Sequence, residues 1–303
     1  MLWLYLCVIV ALFWSISAFI DNYVTDVVFK KKKPQTIKIF DGISYLVIAA
    51  AILLTIGVKE LSIPSIGYLL LSGILASVST IPYYLALRDE ESTTAVIFYQ
   101  LSPVLYFLAE WLIFNEPITG IQLIGLIIIL IAPVVVVFSR KRQKSRRMEF
   151  SAALLLLIFV LIGTISGLIT THIGEKADFV SVFFWFLLGR GISDILLYAM
   201  HKDWQKRMKY IWRHARFKFL FALTVNQTIC VAAEFISRYA LIIGIASLVS
   251  ATYNVLELIF TFILGVVLSI IWPKFGREKL KRHIIIAHLI ATILASIGII
   301  LIQ

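Results

Sequence analysis

The sequence predicts an all-helical integral membrane protein, with ten transmembrane helices arranged as two inverted five-helix repeats. Three observations predict it. Hydrophobic residues make up 61% of the 303 residues and charged residues only 15%, where ordinary soluble domains hold roughly 25% charged. The apolar residues fall in runs of about 20, the length of helix that crosses a bilayer core. The Lys and Arg residues gather in alternate loops from one end of the chain to the other.

Apolar stretches bounded by charge, Pro or Gly place the spans at 2–25, 36–58, 64–87, 92–114, 119–138, 149–173, 179–200, 217–240, 244–271 and 282–302. The first lacks a basic leader and a small-residue cleavage pattern and runs on through Trp14, so it reads as a span. It carries Asp21 one turn after Ser17, facing either a cavity or the interface. Asp41 stands in the second span. The fourth holds Tyr99, Pro103, Tyr106 and Glu110 at spacings of four, three and four, on one helix face. In the sixth, Gly163, Ser166, Gly167 and Thr170 suit close helix packing. The seventh contains Arg190 and Asp194. Along one face of the eighth lie Gln227, Glu234 and Arg238, and in the ninth Ser250, Tyr253, Glu257 and Thr261 share a face. Between spans, Arg140–Arg147 and His201–Lys218 read as polar loops too short for a soluble domain.

Loops after odd-numbered spans hold 24 of the 28 Lys and Arg residues, Lys38 among them. The positive-inside rule puts those loops in the cytoplasm of a cell-membrane protein and both termini outside. A net charge of +11 would suggest nucleic acid in a soluble chain. Here the bases set orientation and meet anionic lipid headgroups, and no nucleic acid is expected. Cys7 and Cys230 lie in separate apolar segments without CxxC spacing, which indicates neither a disulfide scaffold nor a thiolate metal site.

An internal repeat runs through the chain. Asp41-Gly-Ile-Ser matches Arg190-Gly-Ile-Ser at an offset of 149, and Ile16-Ser17-Ala18 matches Ile165-Ser166-Gly167 at the same offset. An offset of 154 aligns Ala86-Leu87 with Ala240-Leu241, and Val96–Gln100 with Ser250–Asn254. The halves are then 1–138 and 149–303, joined by a basic linker at 139–148. Five spans is an odd number, so the copies lie antiparallel in the membrane. Inverted repeats of this kind build secondary transporters, with the substrate site near the midplane between copies.

No HExxH, GxSxG or P-loop is present, so neither a zinc protease, a serine hydrolase nor an ATP-driven pump is indicated, and no cofactor or metal is expected. Ionisable residues within spans usually face a cavity or a partner. Tyr99 and Tyr253 are repeat equivalents whose hydroxyls could line one central pocket. The candidate substrate-binding residues are Tyr99, Tyr106, Tyr253, Asn254, Gln227 and Arg190. Glu257, Glu234 and Glu110 are the candidates for proton coupling, Glu110 standing near enough to a span end to reach the headgroups instead. Glu234 and Arg238, four apart, either neutralise each other or serve the site. Asp41 and Arg190 are gate candidates that could face each other across the repeat axis, while Arg190 has Asp194 as an alternative partner in its own helix. His172 and His288 are isolated and read as polar packing.

In the first half, Ala86-Leu87, Ala95, Pro103, Glu116-Pro117, Gln122 and Gly125 make the chain similar to the drug/metabolite transporter superfamily, in its ten-span form with two EamA-type domains. Ala240-Leu241, Gly244, Ala246-Ser247, Ser250 and Glu278 echo the pattern in the second half, where Trp272–Gly276 lengthens a loop. Arg190 resembles an arginine that such domains often carry in their second helix. The resemblance implies a ten-helix transporter with both termini in the cytoplasm, opposite to the loop charges. The function expected is secondary active transport of a small organic solute (a metabolite, amino acid or drug-like compound) across the cytoplasmic membrane by alternating access, with proton coupling at Glu257. The alternatives are a passive exchanger or facilitator, or a membrane-embedded enzyme or lipid-handling protein acting on an amphiphile.

Overall fold

The structure, a computed structural model, describes residues 2–25, 34–87, 92–114, 119–125, 127, 128, 131, 135, 150–214, 217–271 and 282–302. The helices are α1 (Leu2–Tyr23), α2 (Lys38–Thr55), α3 (Ile63–Leu87), α4 (Ser92–Tyr99), α5 (Ser102–Phe114) and α6 (Phe150–Gly174). They continue with α7 (Phe179–Met200), α8 (Lys202–His214), α9 (Phe217–Ile243), α10 (Ala246–Ile271) and α11 (Arg282–Ile302). A 3₁₀ turn at Pro34–Ile37 leads into α2, and no strand occurs among the described residues. Seven of these helices are long and apolar enough to cross a membrane: α1, α2 with its leading turn, α3, α6, α7, α9 and α10. Their outward faces carry exposed Ile and Leu, as lipid contact requires. Parts of the fifth span (126, 129, 130, 132–134 and 136–138), together with Glu116-Pro117, Arg140–Arg147, Trp272–Gly276 and Glu278, lie outside the described residues.

The fourth span is two helices, not one. Its break falls after Tyr99, where Leu101 N–H turns back to the Phe98 carbonyl at 3.1 Å. Pro103 is the cause: it offers no N–H to the Tyr99 carbonyl, and its ring crowds that same carbonyl four residues back. Gln100, fully buried at the break, donates through Nε2 to the Asn254 carbonyl on α10 at 2.8 Å. The stretch 202–214, expected to be loop, is the amphipathic helix α8. Trp204, Met208 and Ile211 recur at steps of four and three and are buried, while Lys202, Lys206, Lys209 and Arg213 face outward. Trp212 stacks on Phe40 of α2 with ring centroids 5.9 Å apart.

Within the bundle, α1 packs on α9 and α10, α2 runs along α7, and α3 lies between α6 and α7. Small residues let α3 and α7 touch backbone to backbone. A Cβ on Gly73 would stand 2.5 Å from the Arg190 amide nitrogen and closer still to the Phe186 carbonyl oxygen. One on Gly189 would stand 2.8 Å from Leu70 Cα. Where α3 meets α6, Ser72 Oγ donates to the Ser166 carbonyl at 2.8 Å and Ser166 Oγ to the Ser72 carbonyl at 2.9 Å. This is the packing role expected of Ser166 and Thr170.

Lys38 is not a loop base. It is fully buried at the start of α2, its Nζ donating to Asp194 Oδ1 of α7 and to the Ser77 carbonyl of α3, each at 2.7 Å. Ser77 Oγ donates to the same carboxylate oxygen, so three helices close around one ion pair. At the other end of α7, Asp178 caps the helix by accepting from the Ser181 N–H at 3.1 Å, and Lys59 reaches it at 3.1 Å. Slight burial opposes the charge on Asp178, but the hydrogen bonds from Lys59 and Ser181 outweigh it and hold the carboxyl below the usual carboxylate range.

Candidate functional site

A cavity of about 220 Å³ opens in the middle of the bundle, walled by helices from both halves of the chain. Tyr99, Tyr106, Tyr253, Asn254, Gln227, Arg190, Glu234, Glu257 and Asp41 all line it. Every sequence-derived candidate whose side chain is described therefore meets at one place; the side chain of Glu110 lies outside the described residues. The cavity has a basic end, a set of carboxylates and an aromatic wall.

The basic end is built on one glutamate. Arg190 Nη1 donates to Glu234 Oε2 at 2.7 Å, and Arg238 Nε donates to Glu234 Oε1 at 2.7 Å, so α7 and α9 are tied through a single carboxylate. Arg238 is fixed further by Nη1 to Thr170 Oγ1 at 2.6 Å and Nη2 to Ser166 Oγ at 3.3 Å. Its guanidinium lies 3.6 Å above the Phe186 ring centroid, and that of Arg190 lies 4.5 Å above Tyr45. The pairing of Glu234 with Arg238 along one helix is as the spacing suggested. Arg190, however, pairs with neither of its expected partners. Asp194 is taken by Lys38, and Asp41 makes no ion pair with Arg190, although both line the cavity.

The other carboxylates come from α1, α2 and α10. Asp21 accepts from Asn226 Nδ2 at 2.8 Å and from the Tyr83 hydroxyl at 3.3 Å. Glu257 is only 2% exposed and Asp41 only 7%, and neither carboxylate has a hydrogen-bond or ion-pair partner among the described residues. Both can take a proton or a cationic group, and either would offset the burial of the carboxylate.

The aromatic wall joins Tyr83 and Tyr99 to Phe159, with centroids 5.3 Å and 5.0 Å from the Phe159 ring. Tyr84 packs beside Tyr83 at 5.3 Å. Across the space, the Tyr106 hydroxyl sits over Gly167 of α6, occupying the volume that a side chain there would fill. Asn254 donates to Ser250 Oγ at 3.2 Å, one turn before it on α10. Ser17 and Cys230 meet at 2.9 Å on the cavity surface.

Sequence reasoning missed Trp14, Ser79, Thr80, Tyr83 and Tyr84 as lining residues. Tyr83 and Tyr84 are consecutive and stand about 100° apart around a helix, so periodicity assigns at most one of them to a given face. A signal was nevertheless present: Pro82 inside α3 leaves a backbone carbonyl one turn back without its usual donor, a mark of irregular helix near a cavity.

Residues 1–138 match the model of the EamA-like transporter family. No curated protein matches the chain by sequence. Among 28 matching solved chains, one crystal structure of a protein is 14% identical, with a TM-score of 0.59, and the alignment covers 95% of this chain and 96% of that one. The similarity to it is one of fold.

Proposed function

Taking residues 1–138 as an EamA-like transporter domain of the drug/metabolite transporter superfamily, we propose that the whole chain is a secondary active transporter of a small organic solute. It works by alternating access around the central cavity, and Glu257 carries the coupling proton. The observation that carries this reading is the cavity itself, walled from both halves of the chain and lined by buried ionisable groups that packing alone does not call for.

The helix contacts support two inverted repeats. Under the sequence offsets, α1 corresponds to α6 and α3 to α9, so the α1–α9 packing has its counterpart in the packing of α6 on α3. The α2–α7 contact is its own counterpart. The largest departure from the symmetry is at one pair: α3 and α7 lie backbone to backbone at Gly73 and Gly189, while the corresponding pair, α9 and α2, only graze. A closed seam on one side and a loose one on the other is what a carrier resting in one of its two states presents. Exchange of the two seams would turn the cavity to the opposite face.

Thermal-shift screening of the purified protein against amino acids, nucleosides, sugar phosphates and organic cations identifies a ligand by mass action. Uptake of that ligand into proteoliposomes under an imposed pH gradient then tests transport and coupling together. Glu257→Gln keeps the side chain's size and removes its charge, so it should leave folding intact and abolish the response to the gradient. Gradient-driven uptake by that variant equal to wild type would remove Glu257 from the mechanism. A solute recovered chemically altered would favour the membrane-enzyme alternative.

A further inference from the structure

Helices α2 and α7 cross at two glycines, and the crossing reads the same from either helix. A Cβ on Gly42 would stand 2.9 Å from Ile195 Cγ1 and 3.0 Å from the Gly191 carbonyl oxygen. One on Gly191 would stand 2.8 Å from Leu46 Cδ2 and 3.1 Å from the Gly42 carbonyl oxygen. The offset of 149 that pairs Gly42 with Gly191 also pairs Leu46 with Ile195, so the crossing has two equivalent sides. Their chemistry differs. On one side Lys38 Nζ donates to Asp194 Oδ1 and to the Ser77 carbonyl at 2.7 Å each, joining α2, α7 and α3. All three residues are fully buried, and Asp194 Oδ2 has no partner among the described residues. On the other side the offsets of 149 and 154 put Leu187, Tyr45 and Val231 in the same three places, and these pack in one apolar cluster. The seams differ likewise. Gly73 and Gly189, which bring α3 against α7, have Gln227 and Phe40 as counterparts on α9 and α2.

Resting on the transporter reading, we infer that Lys38, Asp194 and Ser77 form a one-sided latch, which holds the α3–α7 seam shut and must open for the cavity to turn to the opposite face. Parting α3 from α7 withdraws the Ser77 carbonyl from the ammonium and the Ser77 hydroxyl from the carboxylate. A buried ion pair that loses such donors is strongly penalised, so the seam is either made or broken. The apolar trio carries no such penalty and can slide. Nor can the second seam match the first, because Gln227 and Phe40 hold backbones apart where glycines let them touch. The two sides therefore differ in energy, and the chain rests with the latched side closed. The latch stands directly behind the cavity wall: Ala76 and Thr80, beside Ser77 on α3, line the cavity, as does Asp41, which lies in the field of both Lys38 and Asp194.

A native thiol reports which way the cavity faces. Cys230 lines it, and Cys7→Ala leaves Cys230 as the chain's single cysteine. The full-length protein is labelled in sealed right-side-out and inside-out membrane vesicles with a cationic methanethiosulfonate reagent that does not cross membranes. The ratio of the two rates cancels the thiol's own reactivity. Labelling should be about tenfold faster from one side, and Lys38→Met or Asp194→Asn should lower that ratio about tenfold by populating the opposite-facing state. The double variant Lys38→Met/Asp194→Asn leaves neither charge of the pair behind and carries the test if the single changes fail to fold. Lys59→Gln, which breaks the Asp178 pair at the far end of α7, should leave the ratio alone. A lower Tm with the side ratio kept would make the trio a structural contact and overturn the latch. Equal labelling from both sides in the otherwise wild-type protein would overturn it too, as would labelling from neither side in every variant. An unchanged ratio, with uptake of a screened solute intact, would reject the latch and keep the transporter. The expected shift, with uptake of none of the screened solutes, would keep the latch and reject the transporter.

Discussion

Replacing Glu234 by Gln tests the centre of the site most severely. The carboxylate accepts from Arg190 and from Arg238 at 2.7 Å each, and the side chains on both sides are nearly buried, at 10% and 7% exposure. Glutamine keeps the volume but leaves two guanidinium groups beside each other without the carboxylate that they share. Removing one partner of a buried pair costs about 3–5 kcal/mol, and two pairs are lost at once here. Cavity water returns part of that to Arg190, while Arg238 keeps Thr170 and Ser166, so a net loss of roughly 3 kcal/mol is expected. For a chain of this size that is a fall in Tm of roughly 6–12 °C. Thiol-reactive dye labelling reads it directly, because Cys7 is buried and becomes reactive on unfolding. The pairing is tested by a cycle: Arg190→Gln combined with Glu234→Gln should cost clearly less than the sum of the two single changes. The same cycle with Asp41→Asn in place of Glu234→Gln should show a smaller coupling, since Asp41 and Arg190 share the cavity but make no ion pair. A Tm for Glu234→Gln within 2 °C of wild type (below ~1 kcal/mol on the same scale), or strict additivity of the first cycle, would refute the argument.

Gly73→Ala should destabilise the protein by about 1–3 kcal/mol, because the new methyl would meet the α7 backbone and force the helices about 1 Å apart; thermal unfolding checks it, and an unchanged Tm would mean that the seam is looser than described. Asp178→Ala should cost about 1 kcal/mol at neutral pH through loss of the α7 cap. Since the Asp178 carboxyl is held below its unfolded value, its contribution is present above the ordinary carboxylate range and fades as pH falls through the folded pKa, so the Tm gap between wild type and variant should close in acid. Finally, single cysteines placed at Ser145 and at Gln303 should label from opposite sides in intact cells, Ser145→Cys only after permeabilisation.

Much of this molecule is written in one dimension. Runs of about 20 apolar residues fix where helices can cross a bilayer, because hydrocarbon offers no other partner for backbone polar groups. Polar residues set at helical spacing within those runs, such as Tyr253 and Glu257 on α10, must turn away from lipid, and they do meet at the cavity. The sequence pattern also contained α8, since Trp204, Met208 and Ile211 recur at helical steps; the dense charge between them hid the period from a reading that sought only apolar runs. Partners across the bundle are another matter. Arg190 finds Glu234 rather than Asp194 or Asp41, and Lys38 finds Asp194 at a separation of 156 residues. Helical spacing specifies which face a side chain occupies on its own helix. Which helix lies opposite, and at what rotation, is set by close approaches such as Gly73 against α7, and these depend on the shapes of all the helices together. Only the assembled bundle decided which carboxylates would be neutralised and which, Glu257 and Asp41, would be left facing the cavity unpaired.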